Sequence, residues 1–338
     1  MSKERIQKAL ARQGLGSRRQ IEGWIKEGLI SLNGNIVEPG QLVETGDVVM
    51  HSGRKIIIRE TENTLPRVLA YHKPEGEVCS RSDPEGRPTI FDKLPGLKHS
   101  RWVAVGRLDI NTSGLILVTD SGDLANKLMH PSSQLQREYA VRVMGHANAE
   151  QLKKLTTGVE LEDGPARFEE IVETNPHDEF TPNQGGLNRW YHVVLMEGRN
   201  REVRRMWEAV NLRVSRLMRV RYGSVMMTKS LRPGKFRELE PDDIYELAEL
   251  AGVEYAKGLK SGKPVSKNFR MTKHKTSMTR GRSGSGKRGT AQNNSGQTDS
   301  GRAGAGRGNT GRTGSARNSS TKALSSSGGR KAGHEKRR

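Results

Sequence analysis

One carboxylate stands out by its setting. The run Trp102-Val103-Ala104-Val105 reads as a strand, and Leu115 to Val118 reads as another. Between them lies the polar stretch Gly106-Arg107-Leu108-Asp109-Ile110-Asn111-Thr112-Ser113-Gly114, whose single acid is Asp109. A side chain on such a turn is held by a rigid scaffold without being buried in a core. A carboxylate so placed can serve as a nucleophile. The pattern alone also suits an ordinary turn former, because Asp and Asn readily bond their own backbone.

Two other groups of residues invite chemistry. Tyr139 sits in Arg137-Glu138-Tyr139-Ala140-Val141, either as a half-buried strand aromatic or as a π face for a planar ligand. From Arg199 to Arg221 there are eight arginines against two glutamates, Glu202 and Glu208. A helix there buries Val203, Met206 or Trp207, and Val210, and is expected to turn its arginines outward, with few acids to pair them. In the strand that follows, strict alternation puts Arg213, Leu217, Arg219 and Arg221 on one face and Leu212, Val214, Met218 and Val220 on the other.

The elements that carry these residues are legible in outline. Ile6/Leu10 and Ile21/Ile25 are spaced for two short amphipathic helices, with Gly14 and Gly16 between them and Ser17 as N-cap of the second. Leu29 to Leu32, Asn33-Gly34 and Ile36-Val37 form a hairpin signal, and Val48 to Met50 a further strand. Residues 60–66 read as a linker. Beyond it, strands at Val68 to His72, Val103 to Val105, Leu115 to Val118, Tyr139 to Val143 and Trp190 to Met196 interleave with helices around Leu124/Leu128, Leu152/Leu155 and Val203/Met206. There is no regular βα rhythm, so the expected class is α+β with a mixed, largely antiparallel sheet. Residues 174–189 read as a surface loop. The expected domains are 1–62, 67–252 and a tail, 257–338.

Charge is divided unevenly. The tail holds 21 Lys or Arg and two acids, whereas residues 1–256 hold 37 basic and 36 acidic side chains. Nearly all of the net +20 is therefore in the tail, and the rest must hold any polyanion by local patches. The tail is rich in Gly, Ser, Arg and Lys and nearly without large apolar residues, so disorder is expected. Cys79 is the only cysteine, which excludes an intrachain disulfide and a cysteine-based metal site. No apolar run approaches the roughly 18 residues of a membrane span, and the start has no apolar signal region, so a cytoplasmic setting without membrane contact is expected. Gly281, Gly286 and Lys287 imitate a phosphate loop, but Arg288 stands where Ser or Thr is required. The nine histidines show no metal spacing.

The stretch from Gly106 to Leu117 closely resembles the central motif of RNA pseudouridine synthases, in the branch that modifies ribosomal RNA. The resemblance implies that Asp109 is the nucleophile, that Tyr139 stacks on the target base and takes part in proton transfer, that Arg204 pairs with Asp109 and favours its ionised form, and that Leu217 lines the base pocket. Lys73-Pro74-Glu75-Gly76 matches the family's first motif and is given a structural role, a turn beside the cleft. The run from Arg5 to Arg19 resembles the alpha-L RNA-binding module named after ribosomal protein S-four, and it implies phosphate contacts from Arg5, Lys8, Arg12, Ser17, Arg18 and Arg19. Arg107, Arg199, Arg201 and Arg205 join them as expected RNA-binding residues near the site. The implied reaction needs no cofactor and no metal. Together with the domain order, the phrase from Tyr71 to Glu77 and the loop from Asp83 to Thr89, the resemblance implies 23S rRNA of the large-subunit precursor, at uridine 2605, as the partner; a monomer is expected. Alternatives are the same chemistry on another rRNA uridine, a non-catalytic rRNA-binding assembly factor, and a glycosidase or hydrolase. The intact set Asp109, Tyr139 and Arg204 speaks against the second, and the lack of another carboxylate in a motif speaks against the third.

Overall fold

The structure is a computed structural model that describes residues 3–60, 64–174 and 188–259. All of them fall within one compact unit, Met1–Arg270. The expected tail from residue 260 onward, the phosphate-loop imitation within it and most of the 174–189 loop lie outside the described residues.

Ile6, Leu10 and Ile21 are fully buried and Ile25 nearly so, because the helices Ile6–Arg12 and Arg18–Lys26 turn these stripes toward one small core. Ser17 starts the second helix through a reciprocal capping box: its hydroxyl accepts from the Gln20 N–H (3.0 Å), and the Ser17 N–H donates to the Gln20 side chain (3.4 Å). A four-stranded antiparallel sheet completes this part, in the order Asn35–Ile36, Ile30–Leu32, Val48–His51, Arg54–Ile57. Its first hairpin turns at Asn33 and Gly34, both at positive φ as a two-residue turn of this kind requires.

A nine-stranded sheet dominates the rest. Its main path runs Glu170–Glu173, Arg189–Leu195, Arg137–Met144, Arg213–Tyr222, Ser113–Thr119, Val68–Lys73, Phe236–Glu238, with Val103–Val105 and Val225–Met226 paired off the path. Every pairing is antiparallel except one, Arg213–Tyr222 beside Ser113–Thr119. The central strands are buried on both faces and read as unbroken apolar runs. Leu69, Tyr71, Ile116 and Val118 enter one core, covered by helices Ala149–Thr157 and Glu202–Ala209. Val68, Ala70, Leu115 and Leu117 enter the other, covered by helices Gly122–Met129 and Pro241–Leu250.

One edge of Ser113–Thr119 is shared. Val68–Lys73 pairs along residues 114–119 on one side. On the other side, Arg213–Tyr222 takes only residues 113 and 114, and Val103–Val105 takes 117–119. The chain between Val105 and Ser113, which carries Asp109, therefore leaves and re-enters the sheet where two neighbours of that edge diverge.

Two expectations are corrected here. Strict alternation along Arg213–Tyr222 fails, because register shifts against Arg137–Met144 leave Ser215 and Val220 without partners. Each bulge inserts one residue, so Val214 and Leu217 enter the same core while Met218 and Val220 pack in the other. The described chain also continues past 252 and past 257: Leu259 N–H donates to the Tyr245 hydroxyl (3.1 Å), which itself donates to the Ala256 carbonyl (2.9 Å). Val253, Tyr255 and Leu259 pack against the second core.

Candidate active site

The turn bearing Asp109 is fixed through its carbonyls. Thr112 N–H donates to the Asp109 carbonyl (3.0 Å) and closes the turn. Gly76 N–H donates to the Ile110 carbonyl (2.9 Å). Arg204 Nη2 donates to the Asn111 carbonyl (2.9 Å), and Lys73 Nζ to the Thr112 carbonyl (2.7 Å). Lys73 also reaches the carbonyls of Pro74 (3.0 Å) and Ile110 (3.4 Å). Just beyond, Arg219 Nε donates to the Leu115 carbonyl (2.7 Å). Three buried cations, 0%, 8% and 2% exposed for Lys73, Arg204 and Arg219, thus hold the backbone that follows a half-buried carboxylate. Donor-only groups suit this task, since each can satisfy carbonyls that would otherwise be stranded from water.

Gly114 makes the seam between strands feasible. At φ +103°, a Cβ there would lie 2.3 Å from the Arg219 carbonyl oxygen and 2.6 Å from its nitrogen, so no other residue fits without moving the strand. Arg219 faces Gly114 on one side and Tyr139 on the other. Tyr139 is thereby two strand spacings from the loop's re-entry, about 10 Å. Tyr139, Leu217 and Leu108, the residue before Asp109, all belong to the first core.

Electrostatics follow the burial. Desolvation pulls the Lys73 ammonium below its ordinary pKa, opposed by the nearby acidic groups Cys79, Glu77, Asp109 and Glu75. Burial likewise pulls Arg204 down, helped by Arg201 and opposed by Asp109, Glu75 and Glu208. Both cations sense Asp109 through space.

The expected Arg204–Asp109 pair takes a different form. Among the described residues no ion pair joins them; the Arg204 guanidinium goes to the carbonyls of Asn111 and, at 3.3 Å, Val214. The helix does not turn all its arginines outward, because Arg204 lies beneath the loop. Nor are acids lacking. Asp163 takes Arg205 through both oxygens (2.9 and 2.7 Å) and Arg199 (3.1 Å), while Glu197 and Glu202 also hold Arg199. Arg199 and Arg205 are thus bound up in the protein's own contacts. So is Arg12, held by Glu4 (2.5 Å) and by the carbonyls of Arg59 and Glu60, and Ser17, which caps its helix. Lys8 (2.9 Å) and Arg18 (3.7 Å) meet Asp123. Arg5, Arg19, Arg107 and Arg201 are exposed and make no ion pair among the described residues.

Sequence reasoning missed the contact of Lys73 with the turn bearing Asp109 and the burial of Arg219. The available signal for the first was a lysine closing the apolar strand Val68–Lys73. For the second it was the run of arginines opposite a glycine that tolerates no side chain.

The comparisons with known proteins fall on these same elements. The family model described as RNA pseudouridylate synthase matches residues 67–209, and the S4 domain model matches residues 4–49. A ribosomal large subunit pseudouridine synthase B from Yersinia pestis is 51% identical over 274 residues, 80% of this chain and 82% of that protein. The chain belongs to the RNA pseudouridylate synthase family. A synthase B from Escherichia coli strain K12 is 50% identical over 80% of this chain and 90% of its own length. Against the one from Pseudomonas aeruginosa, 52% identical over 74% of this chain, the match spans 63% of the relative. Asp109, Tyr139 and Arg204 all lie inside the matched synthase region.

Proposed function

We propose that the protein isomerises a uridine of 23S ribosomal RNA to pseudouridine, with Asp109 as the nucleophile. The observation that carries the reading is a single half-buried carboxylate on a turn whose backbone is locked by Lys73 and Arg204, within the region matched by the family. The relatives' names supply the substrate class.

The reaction breaks the bond from ribose C1′ to uracil N1, turns the base, and joins C1′ to C5. The proton lost from C5 is matched by one gained at N1, so nothing enters or leaves. One carboxylate suffices, because the departing base stays in the pocket as the next nucleophile. Tyr139 presents a ring for the base to stack on and a hydroxyl for proton transfer, and Leu217 closes the apolar wall. Arg204 positions the nucleophile through the loop's backbone and adds positive potential nearby. Of the expected RNA-binding residues, Arg5, Arg19, Arg107 and Arg201 are the freest to meet phosphates, and Lys8 and Arg18 can exchange Asp123 for them. Uridine 2605, a monomeric enzyme, a cytoplasmic place of action and an RNA-binding domain over 1–62 followed by a catalytic domain from 67 complete the proposal.

The test is incubation of the full chain with a 23S rRNA transcript and mapping of pseudouridine. Wild type should modify one uridine. Asp109→Asn should abolish turnover and keep RNA affinity within a few-fold. Turnover near the wild-type rate would remove Asp109 from the role.

A further inference from the structure

A cluster of arginines lies on the sheet face turned away from Tyr139 and Leu217. Arg142 lies between Val141 and Val143, which enter the first core, so it projects to the opposite face. Its direct cross-strand partner is Arg216, and two residues on, Met144 is paired with Arg213. Arg213 and Arg216 are exposed and Arg142 is half-buried. None of the three has a carboxylate within ion-pair distance among the described residues. Acids that could have served are held elsewhere: Glu138 by Arg221 and His192, and Glu173 by His146 and Arg189. Like charges directly opposite in a sheet are destabilising. The strand bulge fixes the arrangement, with the Ser215 hydroxyl donating to the Arg142 carbonyl (3.0 Å). Exposed Met144 (51%) and Val172 (50%) leave the rim of this face open, while Trp190, the partner of Arg142 on its other side, is buried in the second core.

We infer that Arg142, Arg213 and Arg216 form a second RNA contact, taking backbone phosphates of a part of the rRNA substrate remote from the reacting uridine; this rests on the proposed function. The charge complementarity selects the occupant. Guanidinium groups present planar, forked donors that match phosphate oxygens, and each phosphate bound releases counterions. Because the cluster is on the far face of the sheet, only RNA that extends beyond the immediate surroundings of the target uridine can reach it. It therefore acts on the capture of long substrate and leaves the chemistry alone.

The experiment compares full-length wild type, Arg216→Gln and Arg216→Glu on a long 23S rRNA transcript and on a short hairpin bearing the target uridine. Arg216→Gln should weaken binding of the long transcript about three- to tenfold and flatten the slope of log affinity against log salt by about 0.7–0.9. Arg216→Glu should flatten it by roughly twice as much, since the new acid also neutralises Arg142. That variant replaces repulsion by a cross-strand ion pair, so its thermal midpoint should equal or exceed that of wild type and misfolding cannot explain its defect. Turnover on the short hairpin should be unchanged for both variants. Unchanged salt slopes on the long transcript would overturn the inference, as would an equal loss on the short hairpin. A wild-type chain that makes no pseudouridine would instead overturn the proposed function.

Discussion

Lys73→Met tests whether a buried cation sets the nucleophile's position. The substitution keeps the approximate volume and removes the ammonium. The Ile110 carbonyl retains the Gly76 N–H, but the carbonyls of Thr112 and Pro74 lose their side-chain donor. A stranded buried carbonyl costs about 1–3 kcal/mol. The buried Thr112 carbonyl bears that cost in full and the part-buried Pro74 carbonyl only a share of it, offset in part because an ammonium no longer has to be desolvated. A net loss of about 1–3 kcal/mol is expected, and at roughly 2–4 °C per kcal/mol for a chain of this size the midpoint should fall by roughly 2–12 °C. The loop keeps its Gly76 and Arg204 anchors, so it should shift without unfolding. A displacement of about 1 Å at a reacting group costs on the order of 100-fold in rate. Single-turnover kinetics well below the melting range should therefore show kcat down by about that factor, with KM for the RNA within a few-fold. A midpoint within about 1 °C of wild type together with normal kcat would refute the clamp. A defect confined to KM would show that Lys73 holds RNA instead.

Other expectations follow from charge. Burial raises the Asp120 carboxyl to about 6, so the folded state holds a proton there that the unfolded chain releases near its ordinary 3.8. Stability from this group is thus full below about pH 4 and is lost as pH rises to 6, and Asp120→Asn should stabilise by about 1–3 kcal/mol at pH 8 and not at pH 3.5, as read by thermal melts; equal gains at both pH values would contradict the cause. Truncation after Leu259 should leave turnover on a short hairpin intact and flatten the salt dependence of RNA binding, with the same uridine modified. A cut before Val253 should also lower the midpoint, because it removes Val253, Tyr255 and Leu259 from the second core. Equal midpoints for the two truncations would argue against that packing.

Local signals carried far in this chain, and nonlocal ones did not. The helices at Ile6–Arg12 and Arg18–Lys26, the Asn33-Gly34 turn and the strands around Val103–Val105 and Ser113–Thr119 were legible because apolar spacing and turn residues act within a few positions. The direction of Arg204 was not. Its helix has an apolar stripe that satisfies the pattern either way, and the carbonyl that draws it inward belongs to Asn111, 93 residues earlier. The pairing of Arg199 and Arg205 was hidden for the same reason, since Asp163 comes from the hairpin of Val159–Leu161 and Gly164–Ala166. Bulges at Ser215 and Val220 are set by the neighbouring strand, and nothing in a period-2 reading marks them. Asp109 itself was conspicuous as a residue, but the three cations around its backbone emerge only when distant strands meet.

The carbonyl clamp around residues 109–115 also decides which molecule must deform. A loop whose backbone acceptors are already saturated has little freedom to mould itself around a guest. Under the proposed function the conformational work falls on the nucleic acid, which must unstack a uridine and swing it toward Asp109. That work amounts to a few kcal/mol in a paired stem and less where the base is already mismatched or unpaired. A stiff protein of this kind sorts uridines by how easily their surroundings let go of them, so the secondary structure of the RNA becomes part of the recognition code alongside its sequence.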